Sequence, residues 1–186
     1  MSLIRITDEV QEALRTKQPV VALESTLISH GLPSPLNIEV ALKSEKILRD
    51  LNVVPATVAV IDGHLQVGLT HEEIELLGTE SDVEKTSFNN LGTTLNRKSL
   101  GATTVATTMF AAHKSDIQIF ATGGIGGVHR GHDGDVSADL KALSDVLKVA
   151  SHDLEKRVSD IQIDRKKLEK EAHELRTVSY THLRAH

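Results

Sequence analysis

The chain has 186 residues, a net charge of −5, 39% apolar residues and only 2% aromatic ones, enough for one domain with an aliphatic core and room for an appendage. The lack of cysteine excludes disulfides, zinc–thiolate sites and cysteine nucleophiles. The mild acidity argues against binding nucleic acid through charge, and no apolar run approaches a membrane span, so a soluble, intracellular, cytoplasmic protein without a signal peptide is expected.

Thr7 is placed to cap a helix with Val10, Ala13 and Leu14 on one face, ended by Pro19. Val20-Val21-Ala22-Leu23 reads as a strand buried on both faces. It stops at Glu24, and Ser25 to Pro33 is expected to be a polar loop. In open α/β sheets ligands bind at that end of the strands, so Glu24 is either a catalytic carboxylate or a cap to the next helix. Asn37 opens a helix expected to turn Val40, Ala41, Ile47, Leu48 and Leu51 inward. Ala56 to Ile61 is a second strand, and Asp62-Gly63 signals a hairpin returning over His64 to Leu69. Thr70-His71-Glu72-Glu73 is a capping box for a short helix ending near Gly78.

Val83 to Thr86 is a short extended piece, in which Lys85 reads as a surface lysine unless the fold brings it to a site. A short helix over 90–98 leads to Gly101. Thr103 to His113 is expected to be helical, so Gly101-Ala102-Thr103-Thr104 forms a hydroxyl-lined helix N-terminus that either holds a phosphate or merely caps the helix. Ile117 to Phe120 reads as a buried strand, and it empties into Ala121 to Asp139. That stretch holds six of the twelve glycines, with His129, Arg130, His132, Asp133, Asp135 and Asp139 among them. Glycines allow close backbone approach to an anion, and the aspartates are hard oxygen ligands suited to Mg²⁺ or Mn²⁺. The plain alternative is a long surface loop. A dinucleotide fingerprint fails, since a pattern begun at Gly124 needs its third glycine at His129.

From Leu140 the character changes. Leu140, Leu147, Leu154, Ile161, Leu168 and Leu175 recur every seven residues. Leu143 and Ala150 fill the companion position before Arg157, Asp164 and Glu171 take it over, leaving half of a coiled-coil seam. The expected organisation is an α/β domain over 1–140, a heptad-patterned helix over 141–176 and a disordered tail over 177–186.

Several motifs together resemble the pseudouridine-5′-phosphate glycosidase family, relatives of the indigoidine-synthase A proteins. They are Val20 to Thr26, Ile28 to Pro33, Val54 to Thr57, Val67 to Thr70, Gly101 to Ala106, Thr122 to Gly131 and Asp135 to Leu140, in the family's order and spacing. The resemblance implies helices around a mixed β-sheet, a trimeric homo-oligomer and a divalent metal, usually Mn²⁺. It also implies reversible cleavage of the C–C bond between uracil and ribose 5-phosphate. A lysine attacks the anomeric carbon and a glutamate shuttles protons. By position, Glu24 takes the acid/base role and Asp135 the metal. Lys85, Val105, His129, Ser137, Ala138 and Asp139 take substrate contacts.

The resemblance stops near Leu140, before the family's nucleophilic lysine segment. Lys156 lies at about the expected distance but reads as a solvated lysine on the heptad helix. The chain thus reads as the first half of the family domain joined to foreign sequence, with an artefactual ending. Two outcomes are expected of it: an impaired glycosidase, or a non-catalytic protein associating through its C-terminal helix.

Overall fold

The structure is a computed structural model of the chain, described for residues 3–127, 137, 140, 143–145, 166, 167 and 170. It divides into two compact units, 1–146 and 147–186. In the second, the described residues are Lys166, Lys167 and Lys170, which are helical and exposed. The rest of the predicted 141–176 helix, Lys156 and the 177–186 tail lie outside the described residues.

The first unit runs β1 (Ile4–Ile6), α1 (Asp8–Thr16), β2 (Val20–Leu23), a single π-helical turn (Leu27–Gly31), α2 (Leu36–Asp50), β3 (Val54–Ile61) and β4 (His64–Val67). It continues with α3 (His71–Thr79), β5 (Glu84–Thr86), α4 (Leu91–Arg97), β6 (Gly101–Thr103), α5 (Val105–Lys114) and β7 (Ile119–Ala121). The strands form one mixed sheet with a main order β1-β4-β3-β2-β7, while β6 pairs with β3 and β5 with β6.

β3 is the spine. Val54, Ala56, Val58 and Val60 join a core with Val10 and Ala13 of α1, Leu91 of α4 and Ala111 and Ala112 of α5. Ala59 joins the opposite core, with Ile28 of the π-turn, Ala41 of α2 and Ile74 and Leu77 of α3. The period of two along β3 therefore divides the helices into two layers. Local signals set the other boundaries. Asp62 and Gly63 both take positive φ, giving the tight hairpin between β3 and β4. Thr70 and Glu73 form the reciprocal capping box of α3.

Several expectations are corrected. The segment after Glu24 is not simply a polar loop: Leu27–Gly31 winds into the π-turn and buries Ile28. α2 buries Asn37, Ala41 and Glu45, whereas Ile47 and Leu51 are 51% and 67% exposed. Polar side chains occupy the inward face because they have specific partners: Asn37 Nδ2 donates to the Ile28 and Gly78 carbonyls at 2.7 and 3.0 Å, and Thr57 donates to Glu45 at 2.6 Å. The returning hairpin strand ends at Val67, not Leu69. Gly101–Thr103 is a strand, and the helix starts only at Val105. The Ile117–Phe120 run pairs as Ile119–Ala121 and leaves Ile119 56% exposed. It lies beyond β2 with no further strand paired to it among the described residues.

Candidate active site

Two strands end head to head on one edge of β3. β2 pairs in parallel with Val54–Thr57. β6 pairs antiparallel with Ala59 and Val60 on the same edge, since β4 occupies the other. Both chains must leave the sheet where they meet, at Val58. The Val58 carbonyl accepts from Ser25 Oγ at 2.6 Å and from Thr103 Oγ1 at 2.7 Å. Ser25 Oγ in turn accepts from the Thr103 N–H at 2.8 Å. All of these groups are buried, so the hydroxyls replace the ladder bonds that neither strand can complete. Thr103 therefore seals this junction, so of the expected helix N-terminus over Gly101 to Thr104 only Thr104 stands at the start of α5, as its N-cap residue. In an α/β sheet the usual place for a ligand is the crevice outside the carboxyl ends of parallel strands, here the paired ends of β2 and β7.

Glu24 stands at that crevice, immediately after β2. β7 pairs in parallel with β2 in the register Leu23↔Ala121, so Glu24 and Thr122 are the first residues beyond two paired strand ends. Thr122 Oγ1 donates to Glu24 Oε1. Thr26 Oγ1 donates to Glu24 Oε2 at 2.6 Å. Thr122 also binds the glycine-rich segment, accepting from the Gly124 N–H at 3.1 Å and lying 2.9 Å from the Gly124 carbonyl. Further along, the Ser137 N–H donates to the Gly127 carbonyl at 3.0 Å. A Cβ on Gly126 would fall 2.6 Å from Ser137 Oγ and 3.0 Å from its Cβ, so the chain returns closely here. Ser137 is thereby brought back against the glycine segment that starts beside Glu24.

A cleft of about 340 Å³ opens next to Glu24, with Leu23, Leu27, Ile28, Leu48, Thr57 and Thr122 among its lining residues. Its wall is mainly aliphatic, with the Glu24 carboxylate as its ionisable group. Lys85 is exposed on β5. The fold brings it within electrostatic reach of the π-turn: His30 is held below its ordinary value of 6.5, first by burial and then by the Lys85 charge. Val105 begins α5 directly after the β6 end. Its side chain is buried with Ala106 and Leu143.

Glu24 and Val105 thus lie directly after strand ends, Ser137 lies against Gly126 and Gly127, and Lys85 lies near the π-turn that follows Glu24. His129, Asp135, Ala138 and Asp139 lie outside the described residues. Among the described residues no group of three His, Asp or Glu side chains could hold a metal ion, and both Glu24 oxygens already accept threonine hydroxyls. The sequence reading missed Thr26 and Thr122. The available signal was a hydroxyl residue just past each of two strand ends, which becomes informative only once those strands are known to pair. No described helix is long and apolar enough to cross a membrane.

Comparison with known proteins places the chain in a family. A pseudouridine-5′-phosphate glycosidase of Staphylococcus aureus (strain MW2) is 52% identical over 143 residues, covering 76% of this chain and 47% of the relative. One of Clostridium botulinum (strain Langeland / NCTC 10281 / Type F) is 54% identical over 144 residues, with the same coverages of 76% and 47%. The chain therefore spans about half the length of the curated relatives it matches. The crystal structure of a prealnumycin C-glycosynthase in complex with ribulose 5-phosphate superposes with a TM-score of 0.67 at 42% identity, covering 76% of this chain and 46% of that one. The family profile described as indigoidine synthase A like protein matches residues 9–179. With its strand ends, glycine-rich segment and Glu24 in this arrangement, the chain belongs to the indigoidine synthase A-like family.

Proposed function

We propose that this chain carries the proton-transfer part of a carbon–carbon glycosidase site for pseudouridine 5′-phosphate, in a reversible lyase reaction giving uracil and ribose 5-phosphate. One observation carries the proposal: the Glu24 carboxylate sits at the strand-end crevice, fixed by two hydroxyls and joined through Thr122 to the glycine-rich segment. The names of the relatives supply the substrate class. The sugar phosphate bound to the C-glycosynthase is of the matching kind.

The chemistry asks for such a group. Cleavage with water puts a proton on the uracil carbon and a hydroxyl on the sugar carbon. A carbon leaving group departs only if that proton is delivered in place. A carboxylate held at a crevice can take a proton from one partner and return it to the other. Lys85 and the Val105 backbone are proposed to hold the substrate with Ser137, Ala138, Asp139 and His129. Asp135 is proposed as the ligand of Mn²⁺, which when bound supplies positive charge for an anionic substrate. None of the work given to Glu24 runs through the ion. The nucleophilic lysine that the resemblance implies has no assigned residue here, so slow turnover is proposed for the 186-residue chain. A cytoplasmic homotrimer is part of the same reading.

The test follows uracil release from pseudouridine 5′-phosphate with Mn²⁺, alongside calorimetric binding of ribose 5-phosphate. Glu24→Gln is expected to lower the rate by about 10²-fold or more while the sugar phosphate still binds. A protein that neither releases uracil nor binds ribose 5-phosphate sinks the proposal.

A further inference from the structure

We propose that Thr26 and Thr122 are positioning residues for Glu24, a two-sided clamp that fixes the plane of its carboxylate and ties it to the glycine-rich segment. This rests on the acid/base role given to Glu24 above. The observation behind it is the division of labour at one carboxylate. Thr26, at the start of the π-turn, gives its hydroxyl proton to Oε2 at 2.6 Å. Thr122, past the end of β7, gives its proton to Oε1. The donors are 96 residues apart in sequence: Thr26 lies two residues beyond Glu24, and the β2–β7 register brings Thr122 beside it. A carboxylate has two oxygens, each with a second lone pair. One donor on each oxygen removes the free rotation of the group while leaving a lone pair on each to meet a substrate.

Thr122 does a second job. Its single proton is contested between the Glu24 carboxylate and the Gly124 carbonyl, 2.9 Å away. A carboxylate makes the stronger bond, so the hydroxyl donates to Glu24 rather than to the carbonyl. The hydroxyl oxygen meanwhile accepts the Gly124 N–H. The start of the glycine-rich segment is therefore fastened to the carboxylate through one atom. Valine has nearly the shape of threonine and can do neither job, whereas serine keeps the hydroxyl.

Two measurements test the clamp. Uracil release by Thr122→Val and Thr26→Val is expected to show kcat lowered about tenfold or more, the scale of one hydrogen bond to a charged group, with KM nearly unchanged. Thr122→Ser is expected to recover most of the loss. Independently of turnover, the ¹³C carboxyl resonance of Glu24, assigned by its absence in Glu24→Gln, is expected to shift in both valine variants and to stay close to the parent in Thr122→Ser. Amide spectra establish that each variant is folded. A Glu24 resonance unmoved in the valine variants overturns the clamp whatever the activity. A resonance that shifts in the valine variants of a parent that neither releases uracil nor binds ribose 5-phosphate upholds the clamp and overturns only the assigned reaction.

Discussion

β2 and β7 are neighbours, paired in parallel and built from similar short apolar runs, but their surroundings differ. In β2, Val20, Val21 and Ala22 are all buried, with β3 on one side and β7 on the other. In β7, Ile119 is 56% exposed, and Phe120 is only partly covered, by Val105 and Leu143. Among the described residues its one paired neighbour is β2. An apolar run reports that a segment can be buried; lateral partners and covering helices decide whether it is. The difference also shapes the candidate site. Glu24 follows the buried strand and Thr122 the exposed one, so one wall of the crevice is anchored in the core and the other is carried on an open strand.

The largest stability effect should come from the anchored side. Gly101 lies at the β5–β6–β3 junction, where a Cβ would fall 2.3 Å from Thr86 Oγ1, 2.9 Å from Thr94 Cγ2 and 3.2 Å from Val60 Cβ. Those neighbours are fully buried and cannot move aside cheaply. Gly101→Ala is expected to cost about 3 kcal/mol by overpacking, measured by urea unfolding. A loss below about 0.5 kcal/mol, the scale of an ordinary surface change, would mean the junction is looser than drawn.

A middle-sized effect is expected at the seal. Ser25→Ala removes the donor to the Val58 carbonyl and the acceptor of the Thr103 N–H, both buried. Thr103 Oγ1 still serves Val58, so one backbone donor is left without its partner. The expected loss is about 2 kcal/mol. Ile119→Thr on the open strand is the control and should change stability by less than about 0.5 kcal/mol. Equal losses at the two positions would erase the contrast between the two walls.

What the sequence revealed follows the same division. β2, the Asp62-Gly63 turn and the α3 capping box are local: each needs only a few adjacent residues, and each stands where its pattern predicts, although the strand returning from the turn ends at Val67. Glu24 was legible because a strand end is itself a local signal. Thr103 was not, because its place in a strand depends on β3 and β5, which are distant in sequence. Ile47 and Leu51 misled because helical spacing alone does not reveal that Asn37 and Glu45 have buried partners. The contact of Thr122 with Glu24 was invisible until β2 and β7 were paired in register, and the local contact of Thr26 gained meaning only beside it. Lys85 stood out only through family resemblance, since its nearness to His30 is a product of the whole sheet.

The smallest effect, and the one with a defined pH dependence, belongs to Glu45 on the buried side. Its carboxylate sits beneath α2, accepts from Thr57 at 2.6 Å and lies 3.7 Å from Arg49, which also pairs with Glu9. Burial pushes the Glu45 carboxyl above its ordinary 4.5, while the bonds from Thr57 and the Arg49 charge pull it back. The folded protein thus holds this proton more tightly than the unfolded chain. Its contribution is fully present below about 4.5 and is lost as pH rises through the raised folded value. Glu45→Gln keeps an oxygen for Thr57 and removes the buried charge. Its melting temperature should exceed the parent's at pH 7, with the gap closing as the pH falls toward 4.5. Arg49 retains Glu9, so little is lost in return. Melting curves of both proteins between pH 4 and 8 decide the matter: a variant less stable at neutral pH would show that the Arg49 pair outweighs the burial of the charge.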